Sequence, residues 1–235
     1  MKNINLPTKI TISRIILATL LIIFVILTYI LDQFEVINVA ETFNIYLTNS
    51  TFESVVVGPN YTGPKINGLN LIIFGVFLIA SLTDFVDGCL ARKLNQVTDL
   101  GKFLDPIADK MLVNSMMIFL SLNFITLADN VKLPFFCVII MIVRDLVVDG
   151  LRFMAAQKNV VIAANIYGKL KTATQMIAIC IVFLNGFPFN YFDYNWPTYL
   201  HISDWLCYIA TFFSVLSGVI YVKQNINVLG GKTNE

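Results

Sequence analysis

Long apolar runs restrict the fold of this chain more than any other feature of its sequence. The first run extends from Ile10 to Leu31 and contains one charged residue, Arg14. A helix of this length can cross the hydrocarbon core of a bilayer, which needs about 20 residues. Because the run ends in Leu31-Asp32-Gln33 rather than in a small-residue cleavage site, we expect a retained membrane span and not a signal peptide.

Similar apolar runs recur along the 235 residues, and the composition agrees with them. Hydrophobic residues make up 57% of the chain and charged residues 13%, whereas a soluble domain carries about 25% charged residues. We predict an all-α integral membrane protein, a bundle of six transmembrane helices in a single domain, 1–235. Residues 33–66 are predicted to form an extracytoplasmic loop and 224–235 a tail. The predicted helices are 10–31, 67–94, 100–127, 133–155, 166–186 and 203–223.

The distribution of basic residues predicts the orientation of these spans. Six spans place both termini on one side, and only Lys65 and Lys132 of the 16 Lys and Arg residues then fall on the opposite side. Cytoplasmic loops carry the excess of Lys and Arg in membrane proteins, so we expect both termini in the cytoplasm. A net charge of +1 gives no electrostatic support for a nucleic-acid partner.

One acidic segment, residues 81–110, interrupts the apolar runs with five aspartates. On an ideal helix Asp84 and Asp87 share one face, and on the next helix Asp105 and Asp109 lie one turn apart. Charged side chains at membrane depth are costly and usually face a cavity or a partner. We therefore expect these four carboxylates to converge on the cytoplasmic side of the membrane.

Four converging carboxylates repel one another unless cations neutralise them. Mg²⁺ prefers carboxylate oxygens and shares its coordination sphere with substrate phosphates. A pair of such ions can hold the attacking and leaving oxygens of a phosphoryl transfer, so we predict two divalent cations, Mg²⁺ or Mn²⁺. The alternative is ordinary ion pairing with nearby cations, which we assign only to Asp99. Those cations are Arg92, Lys93, Lys102 and Lys110.

The acidic segment resembles the signature of the CDP-alcohol phosphotransferase family, integral membrane enzymes of phospholipid synthesis. Eight positions match: Asp84-x-x-Asp87-Gly88-x-x-Ala91-Arg92 and, eight residues later, Gly101-x-x-x-Asp105-x-x-x-Asp109. The resemblance implies a homodimer in the bacterial plasma membrane, with six helices in each chain and a polar active-site cavity that opens to the cytoplasm. It also implies a CDP-linked lipid as the donor and release of CMP.

The same resemblance implies roles for individual residues. Asp109 is expected to be the general base as well as a metal ligand. A permanent cation such as Arg92 suits a phosphate, and small side chains admit a nucleotide. The expected metal ligands are Asp84, Asp87, Asp105 and Asp109, and the expected CDP-binding residues are Gly88, Ala91, Arg92, Gly101 and Thr11.

Three further segments resemble the bacterial members of this family that use glycerol 3-phosphate as the acceptor. They are NLPTKITISRI at the start, IVRDLVVDGLRFMAA and YGKLKTATQM. The second segment has Asp145 where Glu is more common, and Asp149 where a small or hydroxyl residue is more common. This resemblance implies that CDP-diacylglycerol and glycerol 3-phosphate are the substrates.

An acceptor that carries a phosphate needs a cationic site, and these segments supply four cations. They are Arg144, Arg152, Lys169 and Lys171. Two alternatives remain open. Asp145, Asp149 and Arg152 share a helical face and could form an internal ion-pair network. Lys169 and Lys171 are two residues apart and point to different sides of a helix, so one of them could meet lipid headgroups or water.

The predicted reaction is transfer of the phosphatidyl group from CDP-diacylglycerol to the 1-hydroxyl of glycerol 3-phosphate, with Asp109 accepting the hydroxyl proton. A second hypothesis keeps the family but changes the acceptor to inositol phosphate, serine or phosphatidylglycerol. A third is a cation or proton transporter, because intramembrane carboxylates often mark ion paths. The gathering of the aspartates at one membrane face argues against a transporter, since an ion path needs groups along the whole span.

Overall fold

The computed structural model describes residues 6–34, 44–46, 65–93, 99–122, 131–158, 166–189, 192, 196–197 and 200–225. Only the backbone is described for 6–7, 32–33, 44–46, 65–67, 84–93 and 99–103. The chain divides into two compact units, Met1–Asn130 and Val131–Glu235. Among the described residues, each unit contains three helices of 18 residues or more.

The N-terminal unit is arranged around its first helix. In chain order its elements are α1 (Leu6–Gln33), β1 (Asn44–Tyr46), β2 (Lys65–Asn67), α2 (Gly68–Lys93) and α3 (Asp99–Ser121). Helix α1 packs along both α2 and α3. The buried apolar side chains of these three helices include Ala18, Leu21, Ile73, Phe77, Leu112 and Met116.

A short antiparallel ladder lies within the segment that the sequence predicts to be a loop. Strand β1 pairs with β2 through Asn44 with Asn67, Ile45 with Ile66 and Tyr46 with Lys65. Each strand has three residues. Three residues are too few for an alternation of apolar and polar positions to be distinctive, which is why the sequence pattern did not indicate a strand.

The C-terminal unit consists of α4 (Phe135–Gln157), α5 (Ile166–Phe183) and α6 (Ile202–Gln224). Helix α6 packs against both α4 and α5. Small side chains let helix backbones approach closely within a membrane, so α6 is suited to contact two neighbours at once. The small residues on its buried face are Ser203, Cys207, Ala210, Ser214, Ser217 and Gly218.

Most helix ends agree with the sequence prediction to within two residues, and three ends differ by more. Helix α1 begins at Leu6 rather than at residue 10. Helix α3 ends at Ser121, whereas the prediction extended to 127; residues 123–130 lie outside the described residues. Helix α5 ends at Phe183 instead of 186. There Asn185 and Gly186 adopt positive φ angles of 52° and 80°, and the Gly186 N–H donates to the Ile181 carbonyl at 2.8 Å. Left-handed residues of this kind terminate a helix.

Three of the described helices are long and apolar enough to cross a membrane: Thr8–Leu31, Ile166–Phe183 and Ile202–Gln224. The apolar part of α2, Gly68–Thr83, is shorter. Helices α3 and α4 concentrate charged residues in one half, which lowers their hydropathy. Large apolar side chains remain exposed on α1, such as Leu20 at 58%, as expected of a lipid-facing surface. The chain is a predominantly helical membrane protein.

Candidate active site

The acidic segment identified in the sequence occupies the end of α2 and the beginning of α3. Asp84 to Arg92 lie in the last turns of α2, and Gly101 to Asp109 lie in the first half of α3. The side chains of the first group are outside the described part of the chain, and only the backbone is described at Gly101. Convergence of the four aspartates, and the roles of Gly88, Ala91, Arg92 and Gly101, therefore stay predictions.

Two of the four predicted metal ligands have described side chains. Asp105 and Asp109 are both exposed and lie one turn apart on α3, so they share a face of that helix. Pro106 lies between them in the interior of α3, not in its first turn. A proline there cannot donate the usual backbone hydrogen bond, which loosens the helix beside the carboxylates.

The Asp105 carboxylate is oriented by α1. The Thr11 hydroxyl donates to Asp105 Oδ1 at 2.8 Å, across 94 residues of sequence. Thr11 is 1% exposed, so packing holds its side chain in place. The resemblance places Thr11 near the CDP moiety; in the structure its hydroxyl contacts a predicted metal ligand.

Helix α1 carries a buried polar face near its N-terminal end. Thr8, Thr11 and Arg14 follow one another at three-residue spacing and are each 2% exposed or less. In the sequence, Arg14 indicates orientation as a basic residue and belongs to the opening segment NLPTKITISRI, but no role in the site was expected of it. A spacing of three inside an apolar run marks a single helical face, and that signal could have identified the buried arginine.

The donor set of the N-terminal unit suits a hard divalent cation. Asp105 and Asp109 offer carboxylate oxygens, and the Thr11 hydroxyl fixes the orientation of one carboxylate. Oxygen donors of this type are those that Mg²⁺ prefers. Among the described side chains, no group of three or more His, Cys, Asp or Glu is placed to hold a metal. Asp84 and Asp87, the other two predicted ligands, are not among those side chains.

The C-terminal unit contains an ion-pair cluster centred on Asp145. Arg144 Nη1 lies 2.9 Å from Asp145 Oδ1, and Lys171 Nζ lies 2.6 Å from Asp145 Oδ2. The three side chains are 15% exposed or less. Each carboxylate oxygen thus holds one cation, and the cluster joins α4 to α5 with a net charge of +1.

Arg144 also contacts α6. Its Nη2 donates to the Ser217 hydroxyl at 2.6 Å. A Cβ atom placed on Gly218 would lie only 2.9 Å from Arg144 Cγ and 3.4 Å from its Nε. The absence of a side chain at Gly218 therefore makes the room that the arginine occupies.

Arg152 lies two helical turns farther along α4 and is also held by α6. Its Nε donates to the Tyr221 hydroxyl at 3.1 Å, and its guanidinium carbon lies 5.5 Å from the centre of the Tyr221 ring. Tyr221 is 2% exposed, whereas Arg152 is exposed. A buried aromatic ring therefore supports an accessible guanidinium.

The four predicted phosphate-binding cations thus have different surroundings. Arg144 and Lys171 meet at Asp145, and Arg152 rests on Tyr221. Lys169 is exposed on α5, so the prediction that Lys169 and Lys171 point to different sides of the helix is confirmed. Sequence reasoning missed Ser217, Gly218 and Tyr221, because they match none of the motifs it used. A weak signal was available, since Ser217 and Gly218 lie four and three residues before Tyr221, and both spacings place residues on the same side of a helix.

Comparison with known proteins gives a consistent result over nearly the whole chain. A family model described as CDP-alcohol phosphatidyltransferase matches residues 4–216. A Bacillus subtilis protein named CDP-diacylglycerol--glycerol-3-phosphate 3-phosphatidyltransferase is 36% identical, over 96% of this chain and 97% of its own length. A Mycoplasma pneumoniae protein of the same name is 35% identical, over 94% of this chain and 87% of its own length.

The Mycoplasma genitalium protein of that name is 40% identical over 66% of this chain and 65% of its own length. The family match includes the acidic segment on α2 and α3 and the cluster around Asp145, and it ends one residue before Ser217. The extent of the match and the identities over most of the chain agree with the eight-position signature. The chain belongs to the CDP-alcohol phosphatidyltransferase family.

Proposed function

We propose that this chain transfers the phosphatidyl group from CDP-diacylglycerol to glycerol 3-phosphate, giving phosphatidylglycerol phosphate and CMP. The observation that carries the proposal is a 36% identical relative, matched over 96% of this chain, whose name states that activity. The basic cluster on α4 and α5 supports the choice of acceptor, because a phosphate-bearing alcohol needs cations that a neutral acceptor does not.

The carboxylates of α2 and α3 are the proposed ligands of two divalent cations, Mg²⁺ or Mn²⁺. Divalent metals are general in this family, which supports the assignment. When bound, such ions draw charge from phosphoryl oxygens and from the leaving group. The hydrogen bond from Thr11 supports the role of Asp105, since an oriented carboxylate loses less freedom on binding a cation. The proposed ligands are Asp84, Asp87, Asp105 and Asp109.

Asp109 is the proposed general base. It is exposed on α3, one turn beyond Asp105, as a group that meets a substrate hydroxyl must be. The carboxylate accepts the proton of the glycerol 3-phosphate hydroxyl as that oxygen forms a bond to the phosphorus bearing the diacylglycerol. The bond from that phosphorus to the CMP oxygen breaks, and CMP leaves with the electron pair. Arg92, Gly88, Ala91, Gly101 and Thr11 are proposed to surround the CDP moiety.

The proposed acceptor site uses the phosphate-binding cations of the C-terminal unit. Arg144 and Lys171 are already oriented by Asp145, and Arg152 is accessible above Tyr221. Oriented donors position an acceptor at little entropic cost. Lys169 is exposed and contributes positive charge on the same helix as Lys171.

The proposed arrangement in the membrane is six transmembrane helices in a single domain, with both termini and a polar active-site cavity on the cytoplasmic side of a bacterial plasma membrane. The placement of 14 of the 16 Lys and Arg residues on one side supports this orientation. Three described helices already meet the length and hydropathy of a span. A homodimer is proposed from the family resemblance.

An acceptor panel tests the proposed function. The purified protein in detergent micelles receives CDP-diacylglycerol and Mg²⁺, and CMP release is measured with glycerol 3-phosphate, inositol phosphate, serine or phosphatidylglycerol. We expect CMP only with glycerol 3-phosphate, and none when the divalent ion is chelated. Release with serine or another alcohol, while glycerol 3-phosphate is inert, would place the chain elsewhere in the family.

Thr11→Val tests the orientation of Asp105. Valine keeps the shape of threonine and removes the hydroxyl that donates to Asp105. Loss of a hydrogen bond to a metal ligand typically weakens metal affinity by about 10–100-fold, so we expect a weakening in that range. Mn²⁺ binding, followed by electron paramagnetic resonance on the purified protein, measures it directly.

Two variants control for the substitution itself. Thr11→Ser keeps the hydroxyl and is expected to restore most of the Mn²⁺ affinity. Thr19→Val makes the same change at an exposed position of α1, where the hydroxyl donates to the Ile15 carbonyl of its own helix. Equal Mn²⁺ affinity in Thr11→Val and Thr19→Val would contradict a supporting role for Thr11.

A further inference from the structure

We propose that α6 fixes the two arginines of α4 through Ser217, Gly218 and Tyr221, and that this support sets the preference for an acceptor bearing a phosphate. The inference rests on the proposed function and assigns a positioning role to three residues that lie just beyond the family match, which ends at 216. None of the three is proposed to touch the reacting atoms.

The support of Arg144 has a polar and a steric part. The Ser217 hydroxyl accepts from Nη2 at 2.6 Å, while Asp145 accepts from Nη1 at 2.9 Å. These two contacts hold both terminal nitrogens of one guanidinium, which fixes the plane of the group. Because the aliphatic stem of Arg144 lies against Gly218, a larger residue there would displace the whole side chain.

The support of Arg152 is of a different kind. The Tyr221 ring lies under the guanidinium at 5.5 Å, and its hydroxyl accepts from Nε at 3.1 Å. This hydrogen bond uses Nε and does not involve Nη1 or Nη2. Since Tyr221 is buried and Arg152 is exposed, the ring holds the arginine at the surface of the unit.

Through these contacts, α6 determines the orientation of the guanidinium groups of Arg144 and Arg152. Guanidinium groups recognise phosphate through two parallel N–H bonds, which work only when the plane of the group is correctly set. An arginine that rotates freely must be ordered by the ligand, which weakens binding. Changes on α6 should therefore alter the use of glycerol 3-phosphate while leaving the use of CDP-diacylglycerol intact.

Gly218→Ala and Tyr221→Phe test the two supports separately. Gly218→Ala adds a methyl group against Arg144, and Tyr221→Phe removes one hydroxyl while keeping the ring under Arg152. Hydrogen bonds to charged groups carry roughly a 10–100-fold effect, so we expect KM for glycerol 3-phosphate to rise about tenfold or more in each variant. We expect kcat at saturating acceptor and KM for CDP-diacylglycerol to change little.

Gly150→Ala is the matched control, because it adds the same methyl group on the helix that carries both arginines. Beyond its own helical turn, no atom of the described residues lies within 4 Å of that methyl position. It should leave both KM values unchanged. Thermal unfolding of each variant shows whether the fold is intact. If Gly218→Ala unfolds, the test rests on Tyr221→Phe, because that variant keeps the buried ring and should stay folded.

The outcomes separate this inference from the proposed function. With an active wild-type protein, KM values for glycerol 3-phosphate in Gly218→Ala and Tyr221→Phe that equal the Gly150→Ala value overturn the inference alone. An inactive wild-type protein overturns the proposed function. The positioning role of the α6 residues is then tested by calorimetric binding of inorganic phosphate. Weaker phosphate binding in the two α6 variants than in Gly150→Ala supports the positioning role, and equal binding overturns it.

Discussion

Replacing Asp109 by asparagine is expected to lower kcat for CMP release by at least ~100-fold, the lower end of the contribution of a general base. Asparagine has nearly the same shape but cannot accept the proton of the acceptor hydroxyl, and its neutral oxygen is a weaker ligand for a divalent cation. The measurement is CMP release from CDP-diacylglycerol with saturating glycerol 3-phosphate and Mg²⁺.

Asp109→Glu is the matched control for this prediction. It keeps the carboxylate and lengthens the side chain by one methylene, so we expect activity between the wild-type protein and Asp109→Asn. Unfolding curves should be similar for all three proteins, because Asp109 is exposed. A rate in Asp109→Asn close to that of the wild-type protein would remove Asp109 from the mechanism.

Replacing Lys171 by alanine is expected to destabilise the C-terminal unit strongly. Lys171 Nζ lies 2.6 Å from Asp145 Oδ2, and the two side chains are 8% and 10% exposed. Removing one member of a buried ion pair leaves its partner poorly compensated and typically costs about 3–5 kcal/mol. Arg144 still faces the other oxygen of Asp145, so we expect a loss of about 3 kcal/mol, the lower end of that range.

Lys169→Ala provides the comparison, since it makes the same substitution two residues earlier on α5 at an exposed position. Surface changes away from specific contacts usually alter the free energy of unfolding by less than about 0.5 kcal/mol. Denaturant unfolding in micelles, followed by circular dichroism, measures both variants. Similar unfolding free energies for Lys169→Ala and Lys171→Ala would show that the Asp145 cluster does not stabilise the unit.

The helices of this protein were largely predictable because its apolar runs are long and are bounded by polar or Gly- and Pro-containing segments. The start of α5 at Ile166 was predicted to the residue, and α6 differs by one residue at each end. The ladder of β1 and β2 was not predicted, since pairing between 44–46 and 65–67 depends on tertiary structure rather than on a local pattern. The left-handed backbone at Asn185 and Gly186 likewise ended α5 earlier than its apolar run suggested.

The candidate site was predictable in its residue types but not in its contacts. Helical periodicity placed Lys169 and Lys171 on different sides of α5. It could not say which side is buried, because that depends on Asp145, 26 residues earlier in the sequence. Contacts across long sequence separations leave no periodic trace. Thr11 with Asp105 spans 94 residues and Arg144 with Ser217 spans 73, and neither pair was predicted.

The fate of the acceptor oxygen tests the central claim most directly. Glycerol 3-phosphate labelled with ¹⁸O in its 1-hydroxyl is incubated with CDP-diacylglycerol, Mg²⁺ and the purified protein. The masses of all products are then measured by mass spectrometry. Attack by that hydroxyl on the phosphorus bearing the diacylglycerol predicts labelled phosphatidylglycerol phosphate and unlabelled CMP. Labelled CDP-glycerol with release of phosphatidic acid, or no labelled lipid at all, would contradict phosphatidyl transfer to glycerol 3-phosphate.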